Sequence, residues 1–546
     1  VQAIGGVVTS EDPSSEPAEA PAASGGPFAV VRSLAGWTLA SRMLGFVRDV
    51  LMATLLGTGL VADAFFLAWM LPNLFRRLFG EGAFSAALVP VFIEAREGGD
   101  NEGAQRLVSG AVWRLVLGLG LLIVVGEALC LGLLTEPGQA WLGSSLQGAA
   151  LDKVVRVLDL ARFLLPYVVF ICVAGVLGGA LNALDRFTVP AAAPIVFNAV
   201  WIAGILASGL LFSDPLARVR LLAVVLLAGG AVQLWMHTHA MKRADMPIRP
   251  TWDVDPARMQ RVRGLFFSLA FGLALFQFNA LLDGLIAYTF VAEGGVSALY
   301  YANRLVQLPI GVLGVALSTA VFPELARLSK RGDHEGLGSV LDRGILLGAF
   351  VALPAALGLV VLGQPVVEVL FQRGAFTEES ATRTGLVVLC LAPAVVAACV
   401  TPVISRAFYA EEEVRTPVRV GALCVALNLI LNLFLVGPLQ EAGLALATSI
   451  SQGVNLVLQA LLYRRRRVQR GDRPPTAKTL GSVAGYLALS LLMAGVAWAA
   501  HRYMPGPAAL RLAVGIAVGV AVYVSLSLAL RLEPARLLLS RRRRAA

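Results

Sequence analysis

SRMLGFVRDVLMATLLGTGLVADAFFLAWMLPNLFRRLFGEGAFSAALVP, residues 41–90, is two apolar segments joined by a Gly-rich turn at Gly57–Gly59, with charge set inside both. Arg42, Arg48, Asp49, Asp63, Arg76, Arg77 and Glu81 interrupt it. A charged side chain at mid-bilayer costs about 2.5 to 3.5 kcal/mol, so Arg42, Arg48 and Arg76 together oppose insertion by about 7 to 11 kcal/mol. Charge is kept at that cost where it serves a function.

The surrounding chain is a membrane sequence. Of 546 residues, 57% are hydrophobic and 15% charged, and the mean hydropathy is +0.76. These values exclude an ordinary soluble enzyme and predict an all-α polytopic membrane protein of about fourteen transmembrane helices, from 33–56 to 508–531. Cys130, Cys172, Cys390, Cys399 and Cys424 stand singly, with no CxxC and no neighbouring His, and read as small core residues. Four His, with His237 and His239 near a basic helix end, leave no metalloenzyme reading. The formal charge of +10 lies in loops between apolar runs, a pattern of membrane topology and not of nucleic-acid binding.

Residues 1–30 are rich in Ser, Pro, Glu, Ala and Gly and predict a disordered tail; it is acidic where a cleavable signal is basic. Lys242, Arg243, Arg249, Arg258, Arg261 and Arg263 follow span six, Arg327, Lys330 and Arg331 follow span eight, and Arg464, Arg465, Arg466 and Arg467 follow span twelve. With alternating spans these fall on one side, together with Arg541, Arg542, Arg543 and Arg544, so both termini are expected in the cytoplasm.

A repeat divides the chain. Ala83, Ser85, Ala87 and Pro90 match Ala316, Ser318, Ala320 and Pro323 at an offset of 233, and Pro166 and Pro190 match Pro393 and Pro417 at an offset of 227. Six helices per unit, an even number, predicts two pseudo-symmetric lobes in the same orientation, at 31–245 and 246–464. A basic loop with helices thirteen and fourteen, 465–532, and a basic tail, 533–546, lie outside the repeat.

Counting outward from the turn, Arg42 and Arg76 each lie about 17 residues, or about 25 Å, from its centre and share a depth. Arg48 sits nearer the turn, the external end, and Arg304, about 12 Å from the external end of span eight, lies near the same depth. Four arginines from two lobes can therefore line one cavity, with Ser41 on the stripe of Arg48. The planar guanidinium suits phosphate or carboxylate, so the implied substrate is anionic. The bland alternative is pairing with Asp49, Asp63 and Glu81, or snorkelling, which Arg77 is expected to do. Asp63 and Glu81 read as groups that orient arginines. Pro72, Pro90, Pro309 and Pro323 predict kinks, suited to rocking lobes or simply structural. Asp283, Asn428, Asn432 and Thr448 form a second polar set that can hold Na⁺ or a proton, or serve only as interhelical hydrogen bonds.

The motifs SRMLGFVRD, GTGLVADAFF and LPNLFRRLFGEGAFSAALVP, with SALYYANRLVQLPIGVLGVALSTAVFP in the second lobe, closely resemble the MurJ (MviN) family of lipid II flippases, within the multidrug/oligosaccharidyl-lipid/polysaccharide exporter superfamily. The resemblance covers residues 33–532. It implies alternating-access translocation of lipid-linked peptidoglycan precursor across the bacterial cytoplasmic membrane, without covalent chemistry or a cofactor beyond Na⁺ or H⁺ as coupling ion. It also implies a groove near the last two helices for a polyprenyl tail. Its functional positions fall on Arg42, Arg48, Arg76 and Arg304, with Asp63 as acidic partner. Lipid II, membrane lipids and other cell-wall synthesis proteins are the implied partners. One departure is Asn303, where members often carry Asp, leaving Arg304 without a neighbouring counter-ion. The alternatives are an exporter of another lipid-linked glycan or of a drug, the latter disfavoured by a positive cavity, and a membrane glycosyltransferase. The last would need an acidic cluster in outer loops that are short here.

Overall fold

The computed structural model describes residues 27–80, 82–146, 148–311, 315–472 and 477–535. Most of the expected N-terminal tail, most of the basic C-terminal tail and Glu81 lie outside them. Among the described residues there is helix and no strand. The order is α1 (Pro27–Leu56), α2 (Leu60–Phe75), a π-helical turn (Arg76–Gly80), α3 (Ala83–Glu97), α4 (Asn101–Leu134), α5 (Glu136–Ser145), α6 (Ala149–Leu164), α7 (Tyr167–Ala183), α8 (Thr188–Leu211) and α9 (Pro215–Arg243). Then follow α10 (Pro256–Phe290), α11 (Gly295–Pro309), α12 (Val315–Lys330), α13 (His334–Phe371), α14 (Glu378–Leu391), α15 (Ala394–Ala410), α16 (Arg415–Gln469), α17 (Ala477–Tyr503) and α18 (Ala508–Ala529).

α2 with α3 and α14 with α15 each make one apolar stretch, Leu60–Glu97 and Glu378–Ala410, α6 with α7 makes a bent pair, and α11 with α12 is the repeat-related counterpart of α2 with α3. Helix α16 is two spans hinged at Gln440, whose backbone (φ 50°, ψ −133°) is not helical. Counted so, the order is consistent with the fourteen spans expected. By length and apolarity alone, nine described helical stretches can cross a membrane, or ten with the α6–α7 pair, which bends by 45°. Span ends are capped where the sequence turns polar: Asp100, Asp214, Asp255 and Asp333 accept from the amides of Gly103, Ala217, Ala257 and Gly336.

The repeated prolines sit at matching breaks. Helix α7 begins directly after Pro166 and α15 directly after Pro393, because proline lacks the N–H and crowds the carbonyl four residues back. Pro190 and Pro417 fall in the first turns of α8 and α16, where no donor is lost.

One core cluster joins the lobes at the end of the molecule that carries Gly57, here the turn end: Phe65, Phe66 and Trp201 pack with Tyr301, Phe371 and Phe376. A second core fills the other half of the first lobe and takes in Met259 and Val262 of α10, where Arg258 meets Asp100 (2.6 Å) and Arg261 meets Glu94 (2.6 Å). Toward this opposite, basic end the packing of α12 is on α13 and α15 of its own lobe. Helices α17 and α18 lie on each other and on α13, where the Tyr523 hydroxyl donates to the Phe350 carbonyl (2.6 Å).

Closure at the turn end depends on two glycines. Gly57 (φ 59°) meets Ala375, and a Cβ there would come 2.1 Å from its carbonyl oxygen; Gly374 (φ 59°) meets Thr54, with a Cβ 2.4 Å from that oxygen. Between them the Ala375 N–H donates to the Thr54 carbonyl (2.9 Å). A side chain adds left-handed strain of about 1–2 kcal/mol before any overlap is counted. Gly57→Ala and Gly374→Ala are each expected to lower the Tm of the purified protein by several degrees; an unchanged Tm in both contradicts this packing.

Candidate functional site: a cationic cavity between the lobes

The π-helical turn after Pro72 sets up the first wall. Gly80 packs backbone to backbone on Gly175 of α7, so close that a Cβ on Gly175 would lie 2.4 Å from the Gly80 Cα, and Ser85 donates to the Gly80 carbonyl (2.6 Å). A π-turn is a helix defect often kept at functional sites. This one carries Arg76 and Arg77 side by side into the space between lobes.

Two connected hollows fill that space, sharing Trp69, Asn73, Arg76, Arg304 and Gln307. The larger, about 490 Å³, brings together Ser41, Arg42, Arg48, Arg76 and Arg304 with one carboxylate, Asp49. Four cations and one anion leave a formal lining charge of +3. Asp49 is buried and lies between the lobes: Arg48 donates to it through Nε and Nη2 (3.0 and 2.7 Å), Tyr300 through its hydroxyl (3.1 Å), and Arg304 Nε stands 3.1 Å from its second oxygen. That last contact is an ion pair without hydrogen-bond alignment. The counter-ion missing beside Arg304 at Asn303 is thus supplied from the other lobe.

Each remaining arginine is held differently. Arg48 donates to Asn198 (2.9 Å) and lies 4.2 Å over the Trp201 ring, while Arg304 donates to the Tyr300 hydroxyl (2.9 Å). Arg76 is steadied by Asn73 (2.8 Å). Arg42 is exposed to the hollow, has no ion-pair partner among the described residues, and reaches Gly311 of the second lobe, where a Cβ would come 2.8 Å from its Nη1.

Asp63 is elsewhere, and the expectation that it orients the arginines is corrected. Its carboxylate accepts from Gly294 N–H (2.7 Å), Ser297 N–H (2.8 Å) and Ser297 Oγ (2.5 Å), capping α11 from across the lobe interface. The cause is phase: Asp63 sits in the first turn of α2, level with the start of α11. Thr58 and Ser380 close the same end (2.6 Å). Arg77 is corrected too, since it lines the smaller hollow and donates to Gln277 (3.2 Å) instead of snorkelling. Asn73, Asn198 and Gln307 are cavity residues that no charge or repeat in the sequence pointed to.

The second polar set also converges. Asn432 donates to Asp283 (2.6 Å) and to Asn428 (3.2 Å), and Asn428 reaches Thr448 at 3.5 Å. Turning the Asn428 amide over places its NH₂ 3.1 Å from Asp283. Asp283 and Thr448 face the smaller hollow, about 330 Å³. No cluster of three or more His, Cys, Asp or Glu suited to a metal occurs among the described residues.

Two repeated six-helix lobes around a charged central cavity define a multi-pass membrane transporter. The family model described as "Lipid II flippase MurJ" matches residues 52–517, and the chain belongs to that family. It is 34% identical over 463 residues to a probable lipid II flippase MurJ of Vibrio cholerae, covering 84% of this chain and 86% of that one. To the lipid II flippase MurJ of Burkholderia cenocepacia it is 29% identical over 483 residues, covering 86% and 89%. In fold it is similar to a lipid II flippase MurJ in an inward closed conformation (TM-score 0.74, 22% identity, 92% and 99% covered). It is also similar to an inward-facing multidrug resistance MATE family transporter of the MOP superfamily (TM-score 0.62, 16% identity, 78% and 94% covered).

The Asp63 cap is worth a few kcal/mol, since a hydrogen bond to a charged group contributes about 1.5–3 kcal/mol net of its exchange with water. Asp63→Ala is expected to speed hydrogen exchange at the amides of Gly294 and Ser297 by about tenfold or more. Unchanged exchange contradicts a clamping role.

Proposed function

We propose that the protein translocates lipid II, the undecaprenyl-pyrophosphate-linked disaccharide peptide, from the inner to the outer leaflet of the bacterial inner membrane by alternating access. The observation that carries this reading is the +3 lining of a cavity between two lobes, with Arg42 unpaired among the described residues. A pyrophosphate and peptide carboxylates need such cations, while the prenyl chain stays in lipid along the α17–α18 side. Dragging that head group through hydrocarbon without a wet cavity is prohibitive. The basic end faces the cytoplasm, so the cavity loads from that side while Asp63, Gly57 and Gly374 hold the other side shut. The substrate leaves chemically unchanged, and Arg42, Arg48, Arg76 and Arg304 bind rather than react.

Export of a cationic drug is disfavoured by the same lining charge. Coupling to Na⁺ or H⁺ is assigned to Asp283 with Asn428, Asn432 and Thr448, one carboxylate with amide and hydroxyl oxygens, a donor set that suits a weakly held monovalent cation.

Arg42→Ala removes an uncompensated charge-assisted contact worth about 1.5–3 kcal/mol, so lipid II translocation in reconstituted vesicles is expected to fall by about ten- to a hundredfold while the protein still inserts. Wild-type translocation by that variant contradicts the reading. Asp283→Asn is expected to abolish any dependence of translocation on a Na⁺ or pH gradient; retained dependence contradicts the coupling assignment.

A further inference from the structure

Beyond Asp283 and Thr448 the second lobe contains polar groups that the central cavity does not use. On the second half of α16, Thr448, Ser451, Gln452, Asn455 and Gln459 are spaced by three, four and seven residues and fall on one stripe. Facing it are Asn428 and Asn432 of the first half of α16, and Thr401 and Ser405 of α15.

These groups form a file. From Asp283 it runs through Asn432 (2.6 Å) to Asn428 (3.2 Å) and on to Ser451 (3.4 Å). One helical turn further, Gln459 donates to Asn455 (2.8 Å) and accepts from Ser405 (2.8 Å). The lower part opens into a separate hollow of about 410 Å³, walled by Thr401, Ser405, Gln452, Asn455 and Gln459, with Ala398 and Gly421 leaving room. It extends to Tyr409, 41% exposed and one residue short of the C-terminus of α15, which runs into Glu411, Glu412 and Glu413.

Interhelical hydrogen bonding alone does not account for this. Helices that bond only to each other pack without space for water, and their polar atoms find partners. Here Asn432 is fully buried, with its Oδ1 unpartnered, and Thr401 Oγ1 is also buried and unpartnered. The two unpartnered oxygens, one at the wall of the lower hollow (Thr401) and one buried beside Asp283 (Asn432), are suited to water or to a passing cation.

We propose that this file is an access route for a small monovalent cation, Na⁺ or a proton, leading from the basic end through the second lobe to Asp283. The proposal rests on the coupling reading above and adds where the cation enters. Because the route avoids the central cavity, the cation reaches Asp283 even when an anionic head group occupies that cavity. At its destination Asp283 faces Asn279 of its own helix (3.3 Å) and Asn432 across the interface, while Arg76, Arg77 and Arg304 stand on the cavity side. Those arginines repel a cation approaching through the cavity. Arg406 is the charged residue lining the lower hollow, its guanidinium 5.4 Å over the Phe322 ring, and it slows entry without closing the path.

The test uses the full-length chain in lipid nanodiscs and follows ²²Na⁺ binding in time, with dye-reported proton release after a pH jump as the second arm. Ser405→Leu and Gln459→Leu plug the file and are expected to slow the responding arm by about tenfold or more at unchanged final amplitude. Arg406→Gln is expected to accelerate it, which loss of a merely structural contact does not do. The arm that responds identifies the cation. Wild-type rates in both leucine variants and in Arg406→Gln overturn the route. If Asp283→Asn abolishes the signal while the leucine variants bind at the wild-type rate, the coupling reading stands and the route alone falls. If Asp283→Asn responds like the wild type, or the wild type responds in neither arm, the coupling reading falls and takes the route with it.

Discussion

The structure depends on one buried carboxylate shared between two guanidinium groups from opposite lobes. Asp49 holds Arg48 of α1 at 2.7 Å and Arg304 of α11 at 3.1 Å, with the Tyr300 hydroxyl as a further donor. Breaking one partner out of a buried pair costs about 3–5 kcal/mol because a charge is left uncompensated. The lobes are thus joined at the cavity roof by an ion pair that a stronger anion can replace. On the proposed reading, a pyrophosphate among Arg42, Arg76 and Arg304 would offer more negative charge than Asp49 does, and its binding would draw on the same side chains that hold the lobe contact. Asp63 and the glycine contacts at Gly57 and Gly374 then carry the rest of the closure.

The convergence of Arg42, Arg48, Arg76 and Arg304 was legible because it follows from counting. Two antiparallel helices about a Gly turn put residues at equal distance from the turn at equal depth, and the repeat supplied the second lobe's arginine at a matching level. The proline matches at Pro166 and Pro393 pointed to a repeat, and the structure adds that both sit at helix breaks, since proline acts locally whatever its tertiary context. The cluster of Asp283, Asn428, Asn432 and Thr448 was visible for a similar reason: polar groups in apolar spans must find each other.

What stayed hidden depends on helix rotation and on defects in regular period. A carboxylate in an arginine-rich hairpin reads as a partner for those arginines, yet the position of Asp63 in the first turn of α2 points it at the α11 terminus. Position near the cytoplasmic end of its span predicts snorkelling for Arg77; the π-turn, pinned by Gly80 on Gly175, instead brings both Arg76 and Arg77 to the cavity. Asn73 and Asn198 are neutral, and no spacing rule separates a cavity amide from an interhelical one. The lower hollow beside Thr401 and Gln459 needs three helix faces at once, only two of which come from the same helix.

The most direct measurement is a cryo-EM map of the full chain in nanodiscs with an undecaprenyl-pyrophosphate-linked glycan bound. Phosphate density is expected within hydrogen-bond distance of Arg42 and Arg76, with the Asp49–Arg304 contact opened. Phosphate density outside the cavity, with that contact intact, would contradict it.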